Sequence, residues 1–271
     1  MICETISLSE LNPKVSLTTY VFNNCGDLKV EPRRAVIVCP GGGYHFLSNR
    51  EEEPIVARFL GEGFNVFLLR YSVAPDTKYY QPLIEAARAI AHVRRNAERY
   101  HIAPDKIFIC GFSAGGHLAA SAGIHWNHPV LREEFNGEEE GINRPDGMIL
   151  SYPVITAGEY AHRGSIKNLS CNENYGEKEI AEWSLELNVD GTTPPAFIWH
   201  TFTDKVVPVQ NSLLLADALT KNGVPYELHI YPYGPHGLSL ATEETSNGDP
   251  NKLNPHVQNW MDLAIKWVKL Q

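Results

Sequence analysis

The chain has 271 residues, of which 43% are hydrophobic, and it carries a formal net charge of -9 with an isoelectric point of about 5.7. This length and apolar content fit one large α/β domain or two small ones, and they argue against long disordered stretches. Because an excess of negative charge repels phosphate groups, we expect neither nucleic acid nor an anionic membrane as a partner.

The cysteines and the amino terminus narrow the class of protein further. The cysteines are Cys3, Cys25, Cys39, Cys110 and Cys171. Their number is odd and none has C-x-x-C spacing, which predicts neither a disulfide framework nor a zinc site. The first residues lack a basic region followed by an apolar run, and no stretch of about 18 apolar residues occurs, so neither a signal peptide nor a membrane span is predicted. We expect a reduced, cytoplasmic protein with no metal and no cofactor.

Short apolar runs without polar alternation recur along the chain, as in strands that are buried on both faces of a parallel sheet. After an antiparallel edge predicted within Ile6–Phe22, they are Ala35–Cys39, Val66–Leu69, Lys106–Cys110, Met148–Leu150 and Ala196–Trp199. Apolar residues at helical spacing lie at Pro82–Ala91, Pro208–Asn222 and Val257–Val268. Alternating strands and helices predict an α/β fold with a doubly wound, mostly parallel sheet flanked by helices. We expect a single domain over residues 1–271.

Two stretches fit this alternation poorly. The acidic stretch His125–Arg144 is predicted to be a solvated loop. Residues 156–193 lie between two predicted strands, at the end of the sheet where α/β proteins carry their sites. They are therefore a candidate pocket-covering insertion.

The pattern Gly-x-Ser-x-Gly occurs at Gly111, Ser113 and Gly115, after the predicted strand Lys106–Cys110 and before a predicted helix, Ala114–Gly123. Such a strand-to-helix turn requires small neighbours and holds the serine hydroxyl above the sheet, near the positive end of the helix. Ser113 is therefore a predicted nucleophile. The alternative is a glycine-rich helix start without chemistry.

A nucleophilic serine needs a histidine base and an acid, in the chain order Ser, acid, His for this arrangement. His236 lies in a rigid turn after the predicted strand Tyr226–Ile230 and is the expected base, with His256 as the alternative. Asp204 follows the predicted strand Ala196–Thr201 and is the expected acid. Its alternative role is to cap the next helix.

Ester hydrolysis also requires N–H donors for the negative charge that develops on the carbonyl oxygen. One expected donor is the amide of Ala114, directly after the nucleophile. The other is expected in the glycine-rich loop Pro40–Tyr44, which follows the predicted strand Ala35–Cys39. This loop lacks the glycine spacing of a phosphate-binding loop.

Together these motifs resemble those of α/β-hydrolase esterases of the hormone-sensitive-lipase and acetyl-esterase kind, in particular small bacterial carbohydrate-ester hydrolases. The resemblance extends from about Val36 to the last helix. It rests on Cys39–Val56, Leu69–Pro75 (LRYSVAP), Gly111–Ala120 (GFSAGGHLAA), His200–Val209 (HTFTDKVVPV) and Gly234–Leu240 (GPHGLSL).

The resemblance implies Ser113 as nucleophile, Asp204 as acid and His236 as base. It also implies backbone donors at Gly42, Gly43 and Ala114. One departure is Pro40, which stands where many relatives carry a histidine.

The resemblance and the modest length predict a serine carboxylesterase for short acyl esters, acetyl above all, of sugars, xylo-oligosaccharides or small alcohols. The expected partner is a small-molecule ester, and the sequence leaves open whether the chain forms a homo-oligomer. Tyr44 and Tyr233 are the candidate substrate-binding rings. Tyr71 and the region of Trp183 are further candidates for this role. The alternative is that these rings pack in the interior.

Two other functions stay open at this stage. A peptidase or amidase of the same fold would recognise a substrate amine, for which Glu51–Glu53 are candidates, although a solvated helix start also explains this acidic run. A non-catalytic binding protein of the same fold would usually have lost one of the three catalytic residues, and the sequence retains a candidate for each.

Overall fold

The computed structural model describes residues 1–23, 30–172 and 175–271. Cys25 therefore lies outside the described residues. The four described cysteines, Cys3, Cys39, Cys110 and Cys171, are free thiols. Among the described helices, none combines the length and the apolar character that crossing a bilayer requires.

The strands form a single eight-stranded sheet in the order β1-β2-β4-β3-β5-β6-β7-β8. They are β1 (Thr5–Ser7), β2 (Ser16–Tyr20), β3 (Arg33–Cys39), β4 (Asn65–Arg70), β5 (Ile102–Phe112), β6 (Gly147–Ser151), β7 (Ala196–Thr201) and β8 (Tyr226–Tyr231). The pairs β1–β2 and β2–β4 are antiparallel, and every later pair is parallel. The predicted mostly parallel sheet and its antiparallel edge are both confirmed.

The central strands are apolar throughout because each face of the sheet packs against its own layer of helices. Along β3, Ile37 belongs to one apolar cluster and Val38 to the other, and Ile109 and Cys110 of β5 divide in the same way. This alternation is the two-residue period of a strand with both faces buried.

The helices complete a three-layer arrangement. They are α1 (Glu53–Gly61), α2 (Gln81–Arg95), α3 (Ala97–Tyr100), α4 (Ala114–Ile124), α5 (Pro129–Glu134), α6 (Arg163–Ser170), α7 (Glu177–Trp183), α8 (Gln210–Lys221), α9 (Glu243–Ser246) and α10 (Trp260–Leu270). Helices α2, α4 and α8 pack on one face of the sheet, whereas α1 and α10 pack on the other.

The structure of the stretch His125–Arg144 differs from the predicted loop. The stretch was expected to be a loop, yet it contains α5, which begins at Pro129. The side chain of His128 accepts a hydrogen bond from the Val130 amide and so caps the helix, and proline suits the first helical position. Leu131 of this helix is buried, which ties the acidic stretch to the core.

Candidate active site

Ser113 is the single residue between β5 and α4, and it adopts φ 53° and ψ -116°. A non-glycine residue in such a conformation stores about 1–3 kcal/mol of backbone strain, which the surroundings must hold in place. Here the Ser113 amide donates to the Ser151 carbonyl at 3.0 Å, and the Ser113 carbonyl accepts from the Val154 amide at 3.0 Å. A Cβ on Gly115 would lie 2.2 Å from the Cys39 carbonyl oxygen. The glycines of the motif are therefore required by close packing under the turn.

The predicted base and acid lie beside this serine. The Ser113 Oγ is 2.8 Å from Nε2 of His236, and Nδ1 of the same ring is 2.6 Å from Oδ2 of Asp204. Asp204 follows β7 and His236 follows β8, so three loops at the carboxyl edge of the sheet bring the side chains together. The alternative base, His256, packs its ring against Tyr231 at a centroid distance of 5.5 Å.

The Asp204 carboxylate is held by more than the histidine. Its Oδ1 accepts from the amides of Val206 and Val207 at 2.9 and 3.0 Å. Burial raises the pKa of the Asp204 carboxyl, but hydrogen bonds from His200, His236 and the Val207 amide outweigh burial and hold that pKa well below its usual range. Asp204 is therefore an ionised acceptor. It organises its own loop rather than capping α8, which begins later, at Gln210.

His200 is a second histidine at Asp204 that the sequence analysis did not single out. Its Nε2 is 3.3 Å from the Asp204 Oδ2 and 3.0 Å from the Val207 carbonyl oxygen. Since a carbonyl only accepts, Nε2 carries a proton, and Nδ1 is 2.8 Å from the Ser212 hydroxyl oxygen. The only sequence signal is a histidine at the end of an apolar strand, four residues before the acid.

In the loop after β3, the N–H groups of Gly42 and Gly43 take no part in the hydrogen bonds that hold the loop together. The Gly41 carbonyl accepts from the Ser48 amide, and the Gly42 carbonyl accepts from the amides of His45 and Phe46. In a trans peptide the N–H points opposite to the carbonyl, so the amides of Gly42 and Gly43 face the other side. In the described chain, no backbone carbonyl accepts from either amide.

Only glycine fits at position 42, in the middle of this loop. Gly42 has φ +132°, and a Cβ there would lie 1.9 Å from the Phe46 carbonyl oxygen. Gly43 has φ +64°. The carbonyl of Pro40, which stands where many relatives carry a histidine, accepts from the Tyr71 hydroxyl at 2.5 Å. The loop is thus braced by a tyrosine from the segment after β4.

A cavity of about 430 Å³ opens over Ser113 and His236. Gly42 and Gly43 line one wall, and His162 and Asn168 from the segment 156–193 line another. The Asn168 side-chain amide donates to the Gly43 carbonyl at 2.7 Å, so α6 is attached directly to the glycine loop. This attachment holds the part of the segment around Asn168 against the cavity.

His162 is a pocket residue that the sequence analysis also missed. Its Nδ1 accepts from the Ser165 amide at 3.3 Å, and an amide can only donate. Burial, together with the nearby His236, lowers the pKa of His162, so the ring is neutral and carries its proton on Nε2. His162 therefore presents a neutral N–H donor on the cavity wall. A histidine inside an irregular segment gives no sequence signal for this role.

The candidate substrate-binding rings are corrected by the structure. Tyr44 is only 1% exposed, and its hydroxyl is 3.0 Å from Nδ1 of His117, so its ring fills the interior beneath the loop. Tyr71 and Trp183 are likewise buried. Tyr233 is 73% exposed and is not among the residues that line the cavity over Ser113. A rigid turn before His236 leaves that ring in solvent instead of over Ser113.

The acidic run Glu51–Glu53 is a solvated helix start only at Glu53, which is exposed and begins α1. Glu51 and Glu52 are buried, and the Glu52 carboxylate pairs with Arg70 at 2.5 Å. Glu53 begins α1 and accepts from the Tyr20 hydroxyl at 3.2 Å. Each of the three carboxylates thus has a partner within the described chain, and two of them are buried, which does not favour the alternative of substrate-amine recognition.

The chain matches known proteins over most of its length. The BD-FAE family model matches residues 27–219. The endo-1,4-beta-xylanase B of Butyrivibrio fibrisolvens is 39% identical over 237 residues, which cover 86% of this chain and 36% of that protein. The acetylxylan esterase of Xylanibacter ruminicola is 33% identical over 214 residues, which cover 77% of this chain and 42% of that protein. The chain thus spans less than half the length of these curated relatives.

A solved structure supports the same relationship. The acetyl ester-xyloside bifunctional hydrolase of Caldicellulosiruptor lactoaceticus superposes with a TM-score of 0.83 at 36% identity. The superposition covers 98% of this chain and 96% of that one. The predicted α/β-hydrolase fold and the resemblance to acetyl-esterase-type enzymes are confirmed. The chain belongs to the BD-FAE family.

Proposed function

We propose that the protein is a serine carboxylesterase that hydrolyses short acyl esters, above all acetyl esters, of sugars such as xylo-oligosaccharides. The observation that carries this proposal is the series of hydrogen bonds from Ser113 through His236 to Asp204. Ser113 and His236 line a cavity that a substrate can enter. The relatives named as an acetylxylan esterase and an acetyl ester-xyloside hydrolase support the carbohydrate part of the proposal.

The geometry supports a two-step acyl transfer. Ser113 Oγ attacks the ester carbonyl carbon while its proton passes to Nε2 of His236, and ionised Asp204 stabilises the imidazolium that forms. The amides of Gly42, Gly43 and Ala114 are the donors for the carbonyl oxygen as it gains negative charge. His236 then returns the proton to the leaving alcohol oxygen, and water releases the acyl group by the same steps in reverse.

The amide of Ala114 fits this role for a general reason. Ala114 is the first residue of α4, and the first amides of a helix have no partner within the helix. They also lie at the positive end of the helix dipole, which favours a developing anion. Gly42 and Gly43 face the same cavity from the opposite loop.

The cavity walls support a short acyl group and a polar alcohol. The volume of about 430 Å³ lies towards the lower end of ligand pockets, which span roughly 300–1,000 Å³. Phe46 and Val206 supply apolar surface, whereas His162 supplies an N–H donor suited to a sugar hydroxyl.

Ester hydrolysis by Ser113 is tested by comparing the wild type with Ser113→Ala and a matched serine variant. Ser121→Ala removes a buried hydroxyl from α4, the helix that follows Ser113, and that hydroxyl has no hydrogen-bond partner within the described chain. We expect Ser121→Ala to hydrolyse 4-nitrophenyl acetate as the wild type does and Ser113→Ala to be inactive. Equal hydrolysis by Ser113→Ala would contradict the proposal.

Substrate class is tested with a panel on the wild type. The panel holds nitrophenyl esters of increasing acyl length, acetylated xylo-oligosaccharides and a peptide anilide. We expect kcat/KM to fall with acyl length, acetate to be released from the sugars, and the anilide to be inert. Preferential cleavage of the anilide would support the amidase alternative, and a preference for long acyl chains would contradict the short-acyl proposal.

A further inference from the structure

Glu51 is a buried carboxylate at the cavity that the acyl-transfer steps above do not use. It ends a short 3-10 turn, Asn49–Glu51, and is 3% exposed. Its Oε2 accepts from the Gly41 amide at 2.8 Å, and its Oε1 accepts from the Tyr152 hydroxyl at 2.6 Å. A carboxylate is costly to bury, so two specific donors at this position need an explanation.

Each of the two donors leads to a different part of the catalytic apparatus. Gly41 begins the glycine loop that directs the Gly42 and Gly43 amides into the cavity. The Tyr152 ring stands edge-on to the His236 ring at a centroid distance of 5.1 Å. The Tyr152 hydroxyl also accepts from the Ser239 amide at 2.9 Å, three residues beyond that histidine. One carboxylate therefore joins the oxyanion loop to the histidine loop.

The hydrogen bonds at Glu51 are those that an ionised carboxylate accepts. Burial holds the pKa of Glu51 above its usual range, and hydrogen bonds from Tyr152 and Gly41 and the charges of His236 and Arg50 offset part of that rise. The Gly41 amide can only donate, and the Tyr152 oxygen is already an acceptor for Ser239, so both carboxylate oxygens act as acceptors. The other titratable groups that interact with Glu51 are the buried Tyr71 and Cys110.

We infer that Glu51 is a positioning residue for the esterase reaction, which ties the oxyanion loop to the histidine loop. Its carboxylate also interacts electrostatically with His236, so removing its charge should change the pH dependence of the reaction. This inference rests on the proposed function. The structural alternative is that Glu51 only stabilises the fold. Glu85 is an example of such a structural carboxylate. It is also buried, it accepts from the Ser72 amide and hydroxyl at 2.7 and 2.6 Å, and it does not line the cavity.

The test compares Glu51→Gln with the matched variant Glu85→Gln on 4-nitrophenyl acetate across pH. Glutamine keeps the size of the side chain, but it removes the charge and places an NH2 against one of the two donors. We expect kcat of Glu51→Gln to fall roughly 10- to 100-fold, the effect of losing one charge-assisted hydrogen bond, with KM nearly unchanged. The acid limb of its kcat/KM profile should move to lower pH. Glu85→Gln should keep the wild-type kcat and profile.

A second variant separates the hydrogen-bond link from the charge. Tyr152→Phe keeps the ring beside His236 and the negative charge of Glu51, but it removes the hydroxyl that links Glu51 to the Ser239 amide. We expect a lower kcat without the shift of the acid limb to lower pH. The effects of Glu51→Gln and Tyr152→Phe on kcat should be less than additive in the double variant, because both break the same link.

The active fraction of each variant is counted by titration with a fluorophosphonate. A fall in kcat explained entirely by fewer titratable sites, with an unmoved pH profile, would overturn the inference, and so would a wild-type kcat in Glu51→Gln. Failure of the proposed function looks different, because the wild type itself would then hydrolyse no ester. In that case the pH dependence of the fluorophosphonate labelling rate at Ser113 still tests Glu51, with the same shift expected.

Discussion

The floor and the wall of the cavity are built in different ways. Ser113, Asp204 and His236 follow β5, β7 and β8, so the register of neighbouring parallel strands sets their separations. The wall formed by His162 and Asn168 belongs to the segment 156–193, and the Asn168–Gly43 hydrogen bond attaches it to the glycine loop. Changes in the floor should therefore affect every substrate, whereas changes in the wall should affect substrates selectively.

The largest effect in this comparison is expected from Asp204→Asn. The carboxylate accepts from two amides and two histidines, and an asparagine NH2 would oppose one of those donors. We expect kcat to fall on the order of 10⁴-fold for all esters, as for the equivalent change in other serine hydrolases. Asp217→Asn, which removes an exposed partner of Lys221, is the control and should leave kcat unchanged. A similar loss in both variants would contradict the assignment.

Gly42→Ala should have the next largest effect, and because it displaces the oxyanion amides it should act on every substrate, as a change in the floor does. Its Cβ would overlap the Phe46 carbonyl oxygen, so the loop must shift and the oxyanion amides with it. We expect kcat to fall about 10²- to 10³-fold for both sugar and nitrophenyl esters. Gly61→Ala is the matched control, because a Cβ there meets nothing within 4 Å. If Gly42→Ala retains the wild-type kcat, this loop does not supply the oxyanion donors.

The wall is probed by His162→Phe, which keeps a planar ring but removes the N–H donor. We expect kcat/KM for an acetylated xylo-oligosaccharide to fall roughly tenfold, the effect of one lost hydrogen bond, while 4-nitrophenyl acetate is hydrolysed as before. His229→Phe, on the edge strand β8, is the control variant. An equal loss on both substrates would show that His162 acts on the floor.

The smallest effect concerns stability in acid. The folded-state pKa of Asp204 lies below the unfolded value of ~3.9, so its stabilising contribution is complete above that value and is lost as pH falls through it towards the folded pKa. The thermal midpoint of the wild type should therefore drop more steeply below pH ~4 than that of Asp204→Asn. Parallel curves for the two proteins would contradict the lowered pKa.

The floor was predictable from sequence because its signals are local. The small residues around Ser113 are needed within one turn, and buried strands can be recognised in the sequence as apolar runs. Once the strands are placed, the acid and the histidine can be sought in the loops that follow them. The extra helix α5 was missed because acidic residues on its exposed side masked a single buried leucine, Leu131.

The wall and the supporting residues were not predictable because their roles depend on distant partners. Glu51 lies in a run of three glutamates that reads as solvated, and its burial depends on Tyr152, 101 residues further on. His162 acquires its donor role only through Ser165 and the cavity. Tyr44 was misassigned because a ring next to a glycine loop can pack inward as well as outward, and His117 on α4 decides the direction.

The most direct test of the central claim is to identify the residue that a fluorophosphonate modifies. The account predicts a single adduct on the peptide that contains Ser113, found by mass spectrometry of the wild type. The adduct should be absent from Ser113→Ala and form far more slowly in His236→Ala. An adduct on another serine, or undiminished labelling of Ser113→Ala, would contradict the account.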